Sequence, residues 1–278
     1  MLKCQYAARY LFNYAEVVNV AVWLFAILSA IMVFVDLDSS VSLWIPIAID
    51  VFSLAALGWR NYNVKWAAKL RNYFDAVVLG IGLSNYSEAD KRSIFERISN
   101  IERRKSDTLR IQINNTGRDN PPGVKNWYEF PDELSGCEAV FETQKQNCWW
   151  NKRLSSRRKV IVGIVLVSIF ISALFVMTFH QQLSDKIIAC FVALAVNAFD
   201  LIQANIKYDN LSKAMDTLIK TPDISKNASQ LEYLQRIIND RRQIPVLEMN
   251  LIHKKHSKEW SETYGHVSKN SNSNFPPA

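Results

Sequence analysis

The sequence predicts an all-α membrane protein. Four transmembrane helices form two hairpins, and a mainly helical cytoplasmic module is built from the central insert and the C-terminal region. Three observations predict this. The stretch VIVGIVLVSIFISALFVMTF, Val160 to Phe179, has no charged side chain, in a chain whose mean hydropathy is only -0.05. Three other segments resemble it. Basic residues also collect on one side of all four. Twenty residues at about 1.5 Å each cover roughly 30 Å, the thickness of a bilayer's hydrocarbon core. A buried helix in a soluble protein seldom needs so long an uncharged run on every face.

The elements follow in chain order. Residues 1–16 carry Lys3 and Arg9 and read as a cytoplasmic N-terminal segment. Val17 to Val35 is uncharged between Glu16 and Asp36. After DLDSS, Val41 to Trp59 carries one acid, Asp50, and closes a first hairpin over 17–59. A cytoplasmic insert, 60–159, begins with Arg60, Lys65, Lys69 and Arg71, and Arg60 to Leu83 continues the second span as helix. Ile94, Ile98 and Ile101 in ADKRSIFERISNIERR stand four and three apart, the spacing of an amphipathic helix. TLRIQINN at 108–115 alternates as a short strand does, and GRDNPPG at 117–123 breaks the chain. Ser135 and Glu138 have the spacing of a capping box. A helix starting there runs through Trp150 into the third span.

The second hairpin, 160–206, pairs Val160–Phe179 with Ile187–Ile206, which carries Asp200. Leu211, Met215, Leu218 and Ile219 continue its helical stripe to Pro222. Another helix centres on Leu231, Leu234 and Ile238, within C-terminal cytoplasmic helices over 207–264. The polar stretch 265–278 reads as a disordered tail. The two short loops hold Asp36 and Asp38, and Asp185 with Lys186. Arg153, Arg157, Arg158 and Lys159 precede the third span, and Lys207 and Lys213 follow the fourth. By the positive-inside rule both termini and the insert are cytoplasmic.

A net charge of +7 and a pI near 9.2 suit an anionic membrane surface, an anionic ligand or nucleic acid, without choosing among them. Cys4, Cys137, Cys148 and Cys190 form no close metal-ligand pair and read as reduced thiols. The first apolar run is too long for a cleavable signal peptide and lacks a small-residue cleavage site. His253 and His256 flank Lys254 and Lys255 with no third ligand in view, so no metal is assigned. No P-loop, G-x-G-x-x-G, G-x-S-x-G or paired-cysteine motif occurs. No catalytic residue and no cofactor is therefore assigned.

Asp50 lies near the middle of its span, where a carboxylate costs at least a few kcal/mol unless protonated, paired or wetted. It faces either a water-filled path or a hydrogen-bonded bundle interior. Asn197, Asp200 and Gln203 recur at spacings of three. They line a path, grip a neighbouring helix, or, for Asp200 and Gln203, sit at the headgroup level. Ala26 and Ala30, Ser168 and Ser172, and Ala189 and Ala193 provide small faces for helix packing. In TQKQNCWWNKRLSSRRK at 143–159, Gln144, Asn147, Trp150 and Leu154 share one helix face, with Arg153 and Arg157 on an adjacent strip. Amides, an indole and guanidiniums grip phosphates and stack on bases. They equally make a juxtamembrane helix, with Trp at the interface and Arg on anionic lipid.

At this helix the chain resembles the SMODS-associated four-transmembrane effectors of bacterial antiphage signalling. The likeness rests on two membrane hairpins around an insert of about one hundred residues, on VKNWYEF at 124–130, and on the helix that follows. There Gln144, Asn147, Trp150 and Leu154 match the family pattern, while Thr143 stands at a Cys place and Asn151 at an Asp place. RRQIPVLEMNL keeps a basic helix end and a proline without the Pro-Asp-Trp of many relatives. The resemblance implies an effector in the bacterial inner membrane that senses a cyclic di- or oligonucleotide in the cytoplasm. It would permeabilise the membrane as a homo-oligomer and stop growth of the infected cell. Lys125, Trp127, Tyr128, Gln144, Asn147, Trp150, Arg153 and Arg157 are the ligand candidates. Asp50, Asn197 and Asp200 are the candidates for the membrane path. The partners are thus the nucleotide, a lipid bilayer and further copies of the chain, not a nucleic-acid polymer. Rival readings are an effector held inactive by a nucleotide and released on its loss, a membrane scaffold for a protein partner, and an enzyme acting on lipid.

Overall fold

The local rules of helix formation account for most boundaries. The computed structural model describes residues 1–32, 39–128, 134–179, 184–246, 255–256, 258–260 and 262–264. Its helices are α1 (Leu2–Met32), α2 (Ser39–Leu79), α3 (Glu88–Arg104), α4 (Ser106–Asn114), α5 (Gly136–Phe179), α6 (Ser184–Ile219) and α7 (Ala228–Arg242). α2 stops where Gly80 turns to φ +70°, a left-handed conformation that glycine adopts without steric cost. Ser87 caps α3 in a capping box: its hydroxyl accepts from the Asp90 N–H at 3.1 Å, and the Asp90 carboxylate accepts from the Ser87 N–H at 3.2 Å. Asn227 caps α7 through the Gln230 N–H at 3.1 Å. α6 ends at Ile219, ahead of Pro222.

The apolar stripes expected from spacing lie inside. Ile94, Ile98 and Ile101 of α3 are buried with Tyr6 and Leu11 of α1 and Leu70 and Phe74 of α2. Leu231, Leu234 and Ile238 of α7 are buried with Met215 of α6 and Cys148 of α5. Each fully buried Leu or Ile contributes about 1.5–3 kcal/mol. α2 joins the two clusters, since Leu79 packs on the second. The first half of α1 is part of the first cluster, so residues 1–16 pack into the body of the protein. The expected strand at 108–115 is instead α4. Helical turning brings Leu109 and Ile113 onto one face against the first cluster, which an alternating apolar run this short does not exclude. Beyond α4, Gly123 passes so close to the chain that a Cβ there would lie 1.9 Å from the Asn115 carbonyl oxygen.

The expected four spans are corrected by this structure. Among the described residues one segment, Leu2–Ser29 of α1, is long and apolar enough to cross a membrane. The runs at 41–59, 160–179 and 187–206 are parts of helices of 41, 44 and 36 residues that go on as charged, buried polar segments. The fold is all-α, but not an assembly of four membrane helices in two hairpins. The multi-pass inner-membrane placement with both termini cytoplasmic is corrected with it, because only this one segment among the described residues is long and apolar enough to cross. The short loop at 33–38, most of the loop at 180–185, His253 and the tail at 265–278 lie outside the described residues.

Candidate functional site

The second half of α1 and parts of α2, α5 and α6 leave large apolar side chains uncovered. Val17, Leu24 and Ile31, then Val51, Phe52 and Leu54, then Ile164, Val167 and Phe170 are all exposed, as is Phe199. A polar junction marks where this surface begins. The Arg60 guanidinium, buried at 5 % exposure, donates to Asn19 Oδ1 at 2.9 Å and to Asp200 Oδ2 at 2.9 Å. It thereby ties α1, α2 and α6 at one level. Arg158 of α5 donates to Asn205 of α6 at 3.4 Å, just beyond it. Phe25 and Phe52 stack on the apolar side, with centroids 6.3 Å apart. Asp200 is thus a partner of Arg60. Asp50 is exposed on the outer face of α2, and Asn197 is half-buried on α6.

On the polar side, Asp75 of α2 is fully buried and organises a network from four parts of the chain. Arg242 of α7 donates to Asp75 Oδ2 at 2.7 Å and to Asn72 Oδ1 at 3.1 Å. Gln235 donates to the same carboxylate oxygen at 3.1 Å, and the Tyr128 hydroxyl donates to Oδ1 at 2.5 Å. Asn147 of α5 donates to the Tyr128 hydroxyl at 3.2 Å. Gln144 donates to the Leu231 carbonyl at 2.9 Å and to Gln235 Oε1 at 3.1 Å. Burial and the Asp75 charge push the Tyr128 phenol above its ordinary value. Burial works against the charge of Arg242, but Asp75 and Tyr128 together more than offset it and raise the pKa. Tyr128, Gln144 and Asn147 therefore belong to one network, and there they hold α2, α5 and α7 together.

The other sequence-selected residues lie nearby on α5 and in the loop before it. The Arg71 guanidinium stacks over Trp127 at 4.3 Å, and Arg153 stacks over Trp149 at 4.3 Å. Trp150 meets Trp149 at 5.8 Å and Trp260 at 5.7 Å, and His256 stacks on Trp260 at 5.1 Å. Lys125 and Arg157 are exposed. Among the described residues no three His, Cys, Asp or Glu side chains gather as metal ligands. Burial lifts the Cys148 thiol to about 12, which keeps it protonated and unreactive at neutral pH.

Sequence reasoning missed a second buried cluster one turn away. Arg241 of α7 and Arg158 of α5 are 7 % and 3 % exposed. Both guanidiniums lie against the Tyr208 ring of α6, at 5.2 and 4.2 Å from its centroid. Arg241 donates to the Tyr208 hydroxyl at 2.6 Å and to Asn151 Oδ1. Tyr208 also donates to Asn151, and Asn151 donates to the Ser212 hydroxyl at 3.0 Å. Arg158 reaches only Asn205 and Ser155, each at 3.4 Å. All of these acceptors are neutral. Asp209 and Asp216 of α6 pair with Lys159 at 2.6 Å and Lys152 at 3.4 Å instead. Arg158 Nη1 and Arg241 Nε have no acceptor among the described residues. A buried charge without a counter-charge costs several kcal/mol. The visible signal was the Arg241–Arg242 pair ending α7, whose partners stand far away in the chain.

The SMODS-associating 4TM effector domain matches residues 1–244 of the 278. The chain belongs to this family. Membership in the SMODS-associating 4TM effector family gives it a general role as an antiphage effector. The four passes in the family's name contrast with the one candidate crossing segment among the described residues. No curated protein and no solved structure matches the chain.

Proposed function

We propose that this effector couples a cyclic di- or oligonucleotide to damage of a lipid bilayer, and that it acts as a homo-oligomer. The ligand engages a polar module formed by 60–159 and 207–264 together with the start of α1. The uncovered apolar surface, to which the second half of α1 contributes, engages lipid. One observation carries the proposal: α2, α5 and α6 run without a break from the buried polar clusters into the apolar surface. A ligand that tilts these helices on the polar side must move the lipid-facing side too. Moving such a switch from 1:99 to 99:1 requires about a ten-thousand-fold preference for one state, roughly 5.5 kcal/mol. Several charge-assisted phosphate contacts and a stacked base suffice for that. In this proposal Arg153, Arg157, Lys125, Trp127 and Trp150 form the ligand-facing rim. Tyr128, Gln144 and Asn147 hold the helices that the ligand moves.

The test is dye release from liposomes carrying the purified protein, titrated with a panel of cyclic di- and oligonucleotides. Release that rises or falls with one ligand supports the proposal, and its sign tells activation from inhibition. Binding without any change in release makes the protein a sensor or scaffold instead.

A further inference from the structure

We propose that Arg158 and Arg241 form a binding site for a phosphate group, entered from the junction between the polar module and the apolar surface. Two guanidiniums from different helices, both more than nine-tenths buried, lie against one Tyr208 ring. Neither forms an ion pair among the described residues, and each keeps one buried nitrogen, Arg158 Nη1 and Arg241 Nε, without an acceptor. Two buried like charges repel each other, and the face of an aromatic ring lowers that cost without supplying a negative charge. What sets the neighbouring cations apart is a counter-charge: Lys152 and Lys159 each have an aspartate, and Arg242 has Asp75, although its Nη2 is also without an acceptor among the described residues.

The missing partner is an anion that offers several oxygens to guanidinium donors. Planar, permanently charged guanidiniums match the oxygens of a phosphate in pairs. Asn151 and Tyr208 orient the Arg241 fork from one side, which leaves Nε as the spare donor. Arg158 lies two residues before the exposed Val160, at the edge of the apolar surface. A phosphate reaching the site is therefore carried by a nucleotide from the polar side or by a lipid headgroup from the apolar side. The site itself stands on the geometry; only the nucleotide as carrier rests on the proposed function.

The experiment measures thermal unfolding of the full chain in phosphate-free buffer. In detergent, inorganic phosphate or the cyclic nucleotide panel is added. A second arm compares reconstitution into phosphatidylglycerol with phosphatidylcholine vesicles. We expect at least one phosphate-bearing probe to raise the midpoint. Arg158→Gln and Arg241→Gln should fold at least as well as the parent without anion, and should weaken that probe's binding at least tenfold. Arg241→Lys, which keeps the charge and loses the fork, should fall between. Lys226→Gln, exposed and remote, should match the parent. A shift with inorganic phosphate or phosphatidylglycerol alone supports the site while removing the nucleotide as its carrier. No shift with any probe overturns the site, as does equal binding in both Gln variants. Two Gln variants that lose stability without anion and bind as the parent does would show a purely structural pair. Nucleotide-dependent dye release that is unchanged in both variants would overturn the site while leaving the proposed function standing.

Discussion

Arg241 and Arg242 are neighbours at the end of α7, yet they end in opposite electrostatic settings. Arg242 turns to α2 and meets Asp75, which also accepts from Gln235 and Tyr128. Arg241 turns to α5 and α6 and meets only the neutral oxygens of Asn151 and Tyr208, beside a second guanidinium. The first cluster gives its guanidinium a carboxylate and fastens α2, α5 and α7, although Arg242 Nη2 and Gln144 Oε1 have no partner among the described residues. The second is incomplete, and its charge calls for a partner the chain does not supply among the described residues. A buried charge network that closes on itself has a structural role. One that stays open has a receptive one.

The largest expected effect tests the closed side. Asp75→Ala leaves Arg242 buried without its carboxylate and should cost about 3–5 kcal/mol, measured by denaturant unfolding. A loss below about 1 kcal/mol would mean that water replaces the carboxylate and the network is not closed. Tyr128→Phe removes one hydrogen bond to Asp75 and should cost about 1–2 kcal/mol. It also has a pH signature. The folded phenol titrates above the ordinary value of 10.0, so the folded state favours the protonated form. Stability from this group is complete below about pH 10 and falls as pH rises through that value, when the unfolded chain loses the proton first. The parent should therefore lose stability above about pH 10 more steeply than Tyr128→Phe. Equal slopes would remove Tyr128 from the network.

Asp200→Asn comes next, at about 1 kcal/mol or less. Arg60 keeps Asn19 and Asn61 as acceptors, and Asp200 is 38 % exposed, where water screens the pair. The smallest effect belongs to the open side. Arg241→Gln should stay within about 0.5 kcal/mol of the parent without anion, or exceed it, since it relieves repulsion at the expense of neutral hydrogen bonds. A loss comparable to that of Asp75→Ala would erase the contrast between the two arginines.

What the sequence revealed follows the range of each interaction. Helices α3 and α7 were legible because Ile94–Ile98–Ile101 and Leu231–Leu234–Ile238 repeat within a few residues. The unbroken passage of α5 through Trp150 was legible for the same reason. At 108–115 the pattern was too short to tell strand from helix, and packing of Leu109 against α1 and α3 decided it. Uncharged runs were legible as runs, and so was their continuation into longer helices, but among the described residues one segment, Leu2–Ser29, is long and apolar enough to cross a membrane where four were expected. Spacing placed Gln144 and Asn147 on one face and could not say what that face meets. Their network closes through Asp75 and Arg242, which stand 167 positions apart. Arg241 stood out only as half of a basic helix end and Tyr208 not at all, so the open cluster became visible only in three dimensions.

The central claim is that a phosphate-bearing signal on the polar side changes the state of the lipid-facing side. Dye release from protein-bearing liposomes, followed as a cyclic nucleotide is added to the parent and to Arg241→Gln, tests it most directly. A ligand-dependent change is expected in the parent, with a dose curve displaced at least tenfold in the variant. Release that ignores every nucleotide in the parent would contradict it.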